Sequence, residues 1–424
     1  MAVPGRLLLL VPTQSYRAND FLAAAARLGV EVVVGTDRCH RIEEFFGSSD
    51  GLLSLDYRAP EAAADEIERE AARRPISGVV PADDGTAVIA ALALERLGLP
   101  RNPPAAARRT ANKLAQREAL SAAGLPVPRF QAFSLTGGPE AGAEAVPYPC
   151  VLKPLGLSAS RGVIRADDPA SFRDAWRRIQ AILAAARTER KAREDGEGSQ
   201  ILVEDFVPGP EVALEGLLRG GRLEVLALFD KPDPLDGPYF EETLYVTPSR
   251  HPAATQAQVE RIIAAAAAAL GLREGPIHAE ARLGPAGPVI LEVAARTIGG
   301  LCARSLRFGA GTSLEEVVVA HAMGLPIASV RRETSASGVM MLPIPSRGVL
   351  HGVAGVEAAR AVAGVEDVVV TAPAGREVVP LPEGDAYLGF LFARGATPEA
   401  VEASLREAHR QLSFDIRAPL PTVR

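Results

Sequence analysis

The chain has 424 residues, 47% hydrophobic and 23% charged, with a formal net charge of −6, which predicts about two or three domains of ~150 residues and excludes disorder. The acidic balance argues against a nucleic-acid partner held through phosphates, and no stretch approaches the roughly 18 apolar residues of a membrane span. Cys39, Cys150 and Cys302 are too widely spaced for a disulfide framework or a zinc ligand set, and the apolar run Leu7 to Val11 is too short for a signal peptide, so a soluble cytoplasmic protein is expected.

Residues 1–108 alternate strand and helix signals. Leu7–Val11 reads as a buried strand, Asp20–Leu28 as a helix stopped by Gly29, and Val30–Val34 as a second strand. Pro60–Arg73 follows as a helix, Gly78–Pro81 as a strand, and Gly85–Leu97 as a helix stopped by Gly98. Such alternation predicts a parallel sheet with flanking helices. The turn after the first strand, Pro12-Thr13-Gln14-Ser15, lacks the glycines that let a pyrophosphate approach the backbone. Neither a Walker-type loop nor a nucleophile elbow is present.

A joint rich in proline (Pro100, Pro103, Pro104) precedes a helix read from an N-cap at Thr110 to Ala123, closed by Gly124. Strand signals surround Val151–Lys153, and a long helix from Ala170 to about Arg187 enters a charged run. Residues 201–246 read as several strands with turns at Pro208-Gly209 and Gly220-Gly221. A helix, Gln256–Leu270, is stopped by Gly271; two strands follow, Ile277–Leu283 and Val289–Arg296. Beyond Pro326, short strands and a final helix, Pro398–Leu412, close the chain.

Of 46 basic residues only four are lysine: Lys113, Lys153, Lys191 and Lys231. A GC-rich genome accounts for the arginine excess, yet a compact charge that must reach a phosphate is not interchangeable with a guanidinium. Lys191, in a charged run, reads as solvent decoration. Lys113 lies in a helix's first turn, where a cation opposes the helix dipole. Alone it reads as a tolerated surface residue; a phosphate nearby would give it a use. Lys153 sits on an apolar strand before Gly156-Leu-Ser-Ala-Ser-Arg-Gly162. Small residues at Gly156, Ser158, Ser160 and Gly162 let backbone N–H groups close over phosphate oxygens.

Glu204, Val207 and Glu211 surround the turn at Pro208-Gly209. A carboxylate there can accept from ribose hydroxyls while the turn backbone pairs with an adenine edge. An exposed strand edge kept soluble by acids is an equally good reading. More telling is the hairpin: if Leu283 faces Val289, Glu280 lies directly opposite Glu292. Opposed like charges are destabilising, and a bound Mg²⁺ would remove the penalty. Arg296 is read two alternations beyond Glu292, placed to meet charge developing on a transferred phosphoryl group.

Taken in order, these pieces resemble the ATP-grasp superfamily over nearly the whole chain. The resemblance implies an α/β fold: an N-terminal parallel-sheet domain (1–108), a two-lobed ATP-binding core (109–200 and 201–325) and a C-terminal closing lobe (326–424). It implies phosphate-binding roles for Lys113, Lys153 and the loop Ser158, Ser160, Gly162. It further implies adenine contacts at Glu204 and Val207, a ribose contact at Glu211, Mg²⁺ ligands Glu280 and Glu292, and a catalytic Arg296. The superfamily's common Glu-x-Asn metal pair reads Glu292-Val293-Ala294 here, and Thr297-Ile298-Gly299-Gly300 after the arginine argues against biotin carboxylation.

The Glu-x-Ala-x-Arg form with Gly-Gly after it resembles the L-amino-acid ligase branch, as does the segment Gly237 to Tyr245 running into Pro248-Ser249. Phe240 and Glu242 fit that branch's Phe-x-Glu-x-x-His, with Tyr245 standing where histidine would be. ATP-dependent joining of a small carboxylate to an amine through an acyl phosphate is therefore expected, with Glu242 holding the amine or taking its proton. The resemblance also allows a homodimer. Two alternatives stand beside it: a same-fold enzyme of purine or natural-product metabolism, and a nucleotide-binding regulator without catalysis.

Overall fold

The computed structural model describes residues 5–12, 15–37, 51–188, 199–327 and 329–418. Thr13, Gln14, Cys39 and Lys191 lie outside them. The N-terminal strands form a four-stranded parallel sheet in the order Leu52–Ser54, Val32–Thr36, Arg6–Leu10, Ile76–Pro81. Leu7 to Leu10 are fully buried, because helices cover both faces of such a sheet. Each such leucine contributes roughly 1.5–3 kcal/mol of burial.

A second four-stranded sheet, ordered Phe130–Ser134, Gln200–Asp205, Cys150–Pro154, Ile164–Ala166, carries the helix Pro169–Thr188. Phe172 and Trp176 of that helix are buried against the sheet. The largest sheet has eight strands, in the order Gly287–Ala294, Gly275–Gly284, Glu211–Arg219, Arg222–Lys231, Leu244–Thr247, Ala336–Leu342, Gly389–Gly395, Val365–Val370. It runs across position 325, so three strands of the last hundred residues extend the sheet begun at Glu211. One apolar cluster joins Leu7 and Leu9, Ala213 and Leu217, Val317 and Val318, and Val339 and Phe390. Among the described residues no helix is long and apolar enough to cross a membrane.

Several local expectations are corrected. The proline-rich joint contains a helix, Pro104–Thr110, opened by Pro104 at its first position, where a missing N–H costs nothing. Thr110 therefore ends one helix instead of capping the next. The cap is Asn112, whose side chain accepts from the Ala115 N–H, and the second helix spans Lys113–Ala122. In the hairpin, Leu283 faces Pro288 and Arg282 faces Val289; the register shifts between Glu280 and Ala281, and Glu280 then faces Glu292. Leu291 is the extra residue of this bulge. The strand ends at Ala294, so Arg296 lies in the loop beyond it.

Candidate active site

One face of the large sheet gathers a cluster of charged side chains. Along Gly275–Gly284 the alternating positions His278, Glu280 and Arg282 share a face. His278 is directly opposite Glu215 and Arg282 opposite Glu211 on one neighbouring strand, while Glu280 meets Glu292 on the other. Lys231 faces Glu211 from the far side. Its buried ammonium is the hub: Nζ lies 2.6 Å from Glu211, 2.5 Å from Glu242 and 2.8 Å from Glu280. Oxygens of these three carboxylates lie within 4.8 Å of one another.

Buried charge of this kind persists only when paired, and the pKa directions follow the pairing. Burial opposes the charged form of Lys231, but Glu211, Glu242 and Glu280 outweigh it and hold its pKa well above the ordinary value. Burial also opposes an ionised Glu280, yet Lys231 and His278 keep its pKa well below the carboxylate range. Glu242 goes the other way, pushed up by burial and by Glu280 against the pull of Lys231. Tyr245 donates to Glu242 at 2.7 Å and is held protonated by burial and the neighbouring acids. His278, pulled down by burial but raised to about 9 by Glu215 and Glu280, is an imidazolium near neutrality. It stands opposite Ala294, so that position faces a cationic donor instead of a ligand.

The nucleotide candidates occupy the adjoining edge. Lys113 donates to the Leu157 carbonyl at 2.6 Å and lies 3.8 Å from Glu292. Lys153 pairs with Glu204 at 2.6 Å, and Arg117 reaches the same carboxylate at 2.5 Å. Glu204 is 2% exposed, which removes the solvated-edge reading. Arg117 also donates to the carbonyls of Ile290 and Leu291, fastening the bulge.

In the loop after Lys153, Ala159 and Ser160 have φ of 54° and 55°, a conformation costly for side-chain-bearing residues. The N–H groups of Arg161, Gly162 and Val163 donate to Ser158, Pro382 and Ser160 respectively. Gly162 thus spends its N–H on the C-terminal lobe, and its own fit is steric: a Cβ there would sit 2.7 Å from Pro154. A phosphate cradle in this loop would therefore have to draw on residues 158–160. At the other turn, Val207 accepts from Arg282 at 2.8 Å and Glu211 from Arg282 at 3.2 Å. The Arg165 and Arg282 guanidiniums lie 4.2 and 4.9 Å from the ring centre of Phe206. Gly209 is required there, since a Cβ would lie 2.3 Å from the Leu283 carbonyl oxygen.

Arg296 is held by Asp84 of the N-terminal domain at 2.8 Å. Burial lowers its pKa, but Asp84, Glu292 and Glu215 more than offset that. Lys231, His278, Arg282, Glu215 and Asp84 were not singled out for a role by sequence. Alternation with Glu280 could have found His278 and Arg282, and the scarcity of lysine pointed at Lys231. Nothing local marks Asp84.

Comparison with known proteins gives the family. Family models for an ATP-grasp N-terminal domain, an ATP-grasp domain and the L-amino acid ligase C-terminal domain 2 match residues 22–101, 146–305 and 340–417. The chain belongs to the ATP-grasp superfamily. An L-amino acid ligase structure from Bacillus licheniformis superposes with a TM-score of 0.77 at 25% identity, covering 98% of this chain and 100% of that one. Carnosine synthase 1 of Gallus gallus is 32% identical over 344 residues, 76% of this chain but 36% of that protein. A D-alanine–D-alanine ligase of Ectopseudomonas mendocina is 27% identical over 217 residues, 49% of this chain and 63% of that one. The chain spans about a third of the carnosine synthase. Within the superfamily the likeness is to the L-amino acid ligase branch, and the protein is a carbon–nitrogen-bond-forming ligase.

Proposed function

We propose that the protein joins an amino acid or other small carboxylate to an amine, converting ATP to ADP and phosphate through an acyl phosphate. The observation that carries this reading is the shared face. Glu280 is paired with Glu292, which has Lys113 and Arg296 beside it, and also touches Lys231, which holds Glu242. Phosphate-facing groups and a carboxylate suited to an amine therefore adjoin.

In this reading the substrate carboxylate attacks the γ-phosphate, and the amine then displaces phosphate from the acyl carbon. Lys113, Lys153 and Arg296 meet the phosphate oxygens, so that catalysis is largely positioning and electrostatics. An ammonium has three N–H donors, so pairing with Glu204 does not exhaust Lys153. Glu204, Val207 and Glu211 line the base and ribose side. Glu280 and Glu292, opposed across the hairpin, offer the carboxylate oxygens that Mg²⁺ takes; they would hold it on the side of Glu280 away from Lys231, and when bound it supplies neutralisation of phosphate charge. Glu242, oriented by Lys231 and Tyr245, holds the amine or accepts its proton. Tyr245, a fixed donor, cannot serve as the base that histidine would be.

The deciding experiment is mass spectrometry of products after incubation with the twenty amino acids, ATP and Mg²⁺, with chromatography of the nucleotide. A condensed product accompanied by ADP is expected; AMP and pyrophosphate would refute the acyl-phosphate route.

A further inference from the structure

Three consecutive residues after the hairpin are each tied to a different buried or half-buried charged side chain. Arg296 pairs with Asp84 at 2.8 Å, the Thr297 hydroxyl accepts from Arg17, and the Ile298 N–H donates to Glu215 at 2.9 Å. Arg17 also donates to the Ala82 carbonyl, two residues before Asp84. Segments 82–84 and 296–298 are therefore locked together, although one belongs to the N-terminal sheet and the other follows the largest one.

We infer that Asp84 is the positioning residue that aims Arg296. This rests on the reading in which Arg296 meets the transferred phosphoryl group. Arg296 lies past the last strand residue, Ala294, so no ladder of backbone bonds fixes its direction. Asp84 opens the helix Asp84–Arg96, whose start is fixed by a reciprocal capping box between Asp83 and Thr86. That makes a rigid mount for the carboxylate. The surrounding charges would otherwise turn Arg296 elsewhere: Arg17 repels it, while Glu292 and Glu215 attract it. Asp84 holds the guanidinium against that pull and keeps Glu292 available on the hairpin face.

The test compares Asp84→Asn, Asp84→Glu, Arg296→Met and the double variant Asp84→Asn/Arg296→Met. ADP release is followed with ATP, Mg²⁺ and the twenty-amino-acid mixture. Misplacing a catalytic group by about 1 Å can cost ~100-fold, so Asp84→Asn should lose about that factor in kcat with KM for ATP within about twofold. Asp84→Glu should regain at least about tenfold, and the double variant should be no slower than Arg296→Met alone. A double variant slowed further by the same factor would show Asp84 acting on substrate directly and overturn the inference. So would near-normal turnover of Asp84→Asn. If Arg296→Met keeps wild-type turnover, the functional reading of Arg296 fails first, and the inference with it.

A second measurement needs no acceptor. Affinity for ADP with aluminium fluoride and Mg²⁺, relative to ADP alone, should fall by similar factors in Asp84→Asn and Arg296→Met. Wild-type affinity ratios in Asp84→Asn would overturn the inference even for an enzyme silent on the amino-acid mixture. Thermal melts of Asp84→Asn and Asp84→Glu separate both results from unfolding.

Discussion

Glu292 and Glu280 face one another as the sequence register requires at that pair, but their charges are answered separately. Lys113 and Arg296 attend Glu292, while Lys231 and His278 attend Glu280. Glu292→Gln should thus leave stability without metal within about 0.5 kcal/mol of wild type, while abolishing turnover by removing a proposed Mg²⁺ ligand. A melt and an ADP-release assay check both, and a variant with wild-type turnover would refute the metal assignment. Lys231→Met, by contrast, should cost stability as well as turnover. It strands three carboxylates around an apolar side chain, and breaking such buried pairing costs about 3–5 kcal/mol. Denaturant unfolding would reveal that loss, and a variant as stable as wild type would mean the cluster takes up protons at little cost.

At the scale of elements, legibility followed the strength of local punctuation. The helix Pro60–Arg73 is as read, and Gly98, Gly124 and Gly271 mark helix stops because each adopts a positive φ. The helix at Pro104 was hidden because a proline cluster signals a joint as readily as a helix start. The bulge was hidden because Leu291 carries no glycine to announce it. What fixes the bulge is Arg117, an arginine from a helix far away in sequence. The helix cap at Asp83 supplies a pH prediction. Burial and the adjacent Asp84 raise its pKa from 3.8 to about 6. The folded state therefore holds the proton more tightly than the unfolded chain, and the associated stability is present below about pH 4 and lost as pH rises through about 6. Asp83→Asn, which keeps a good cap, should flatten that decline and gain up to about 3 kcal/mol at pH 7. Melts across pH 4–7 measure it; an unchanged slope would show that Asp83 is not its source.

At the scale of the whole molecule, the gathering of the candidate residues was legible where they share a hairpin and illegible where they meet across domains. Asp84 and Arg17 acquire meaning only once the N-terminal sheet docks on the loop after Ala294. The C-terminal lobe makes a similar long-range contact: Glu383 pairs with Arg178 of the helix Pro169–Thr188, and Pro382 accepts from Gly162. Arg178 and Glu383 are partly exposed, so Arg178→Ala should cost under about 1 kcal/mol of stability. Its effect should appear in nucleotide binding, as a several-fold rise in KM for ATP, because the loop at 158–162 loses its brace. An unaltered KM would detach that contact from the nucleotide site.

The continuity of the eight-stranded sheet bears on how the protein is made. Leu244–Thr247 leaves the ribosome well before Ala336–Leu342, the strand that covers its edge. At typical elongation of about 5–20 residues per second, that edge stays open for roughly 5–20 s. Over that interval the main apolar cluster also lacks Val339, Met341 and Phe390. Open edges of this kind recruit other chains, so the nascent protein passes through an aggregation-prone stage with the proposed nucleotide-binding residues already synthesised. A chain ended at residue 325 should be recovered as aggregate instead of as a soluble, uncovered enzyme.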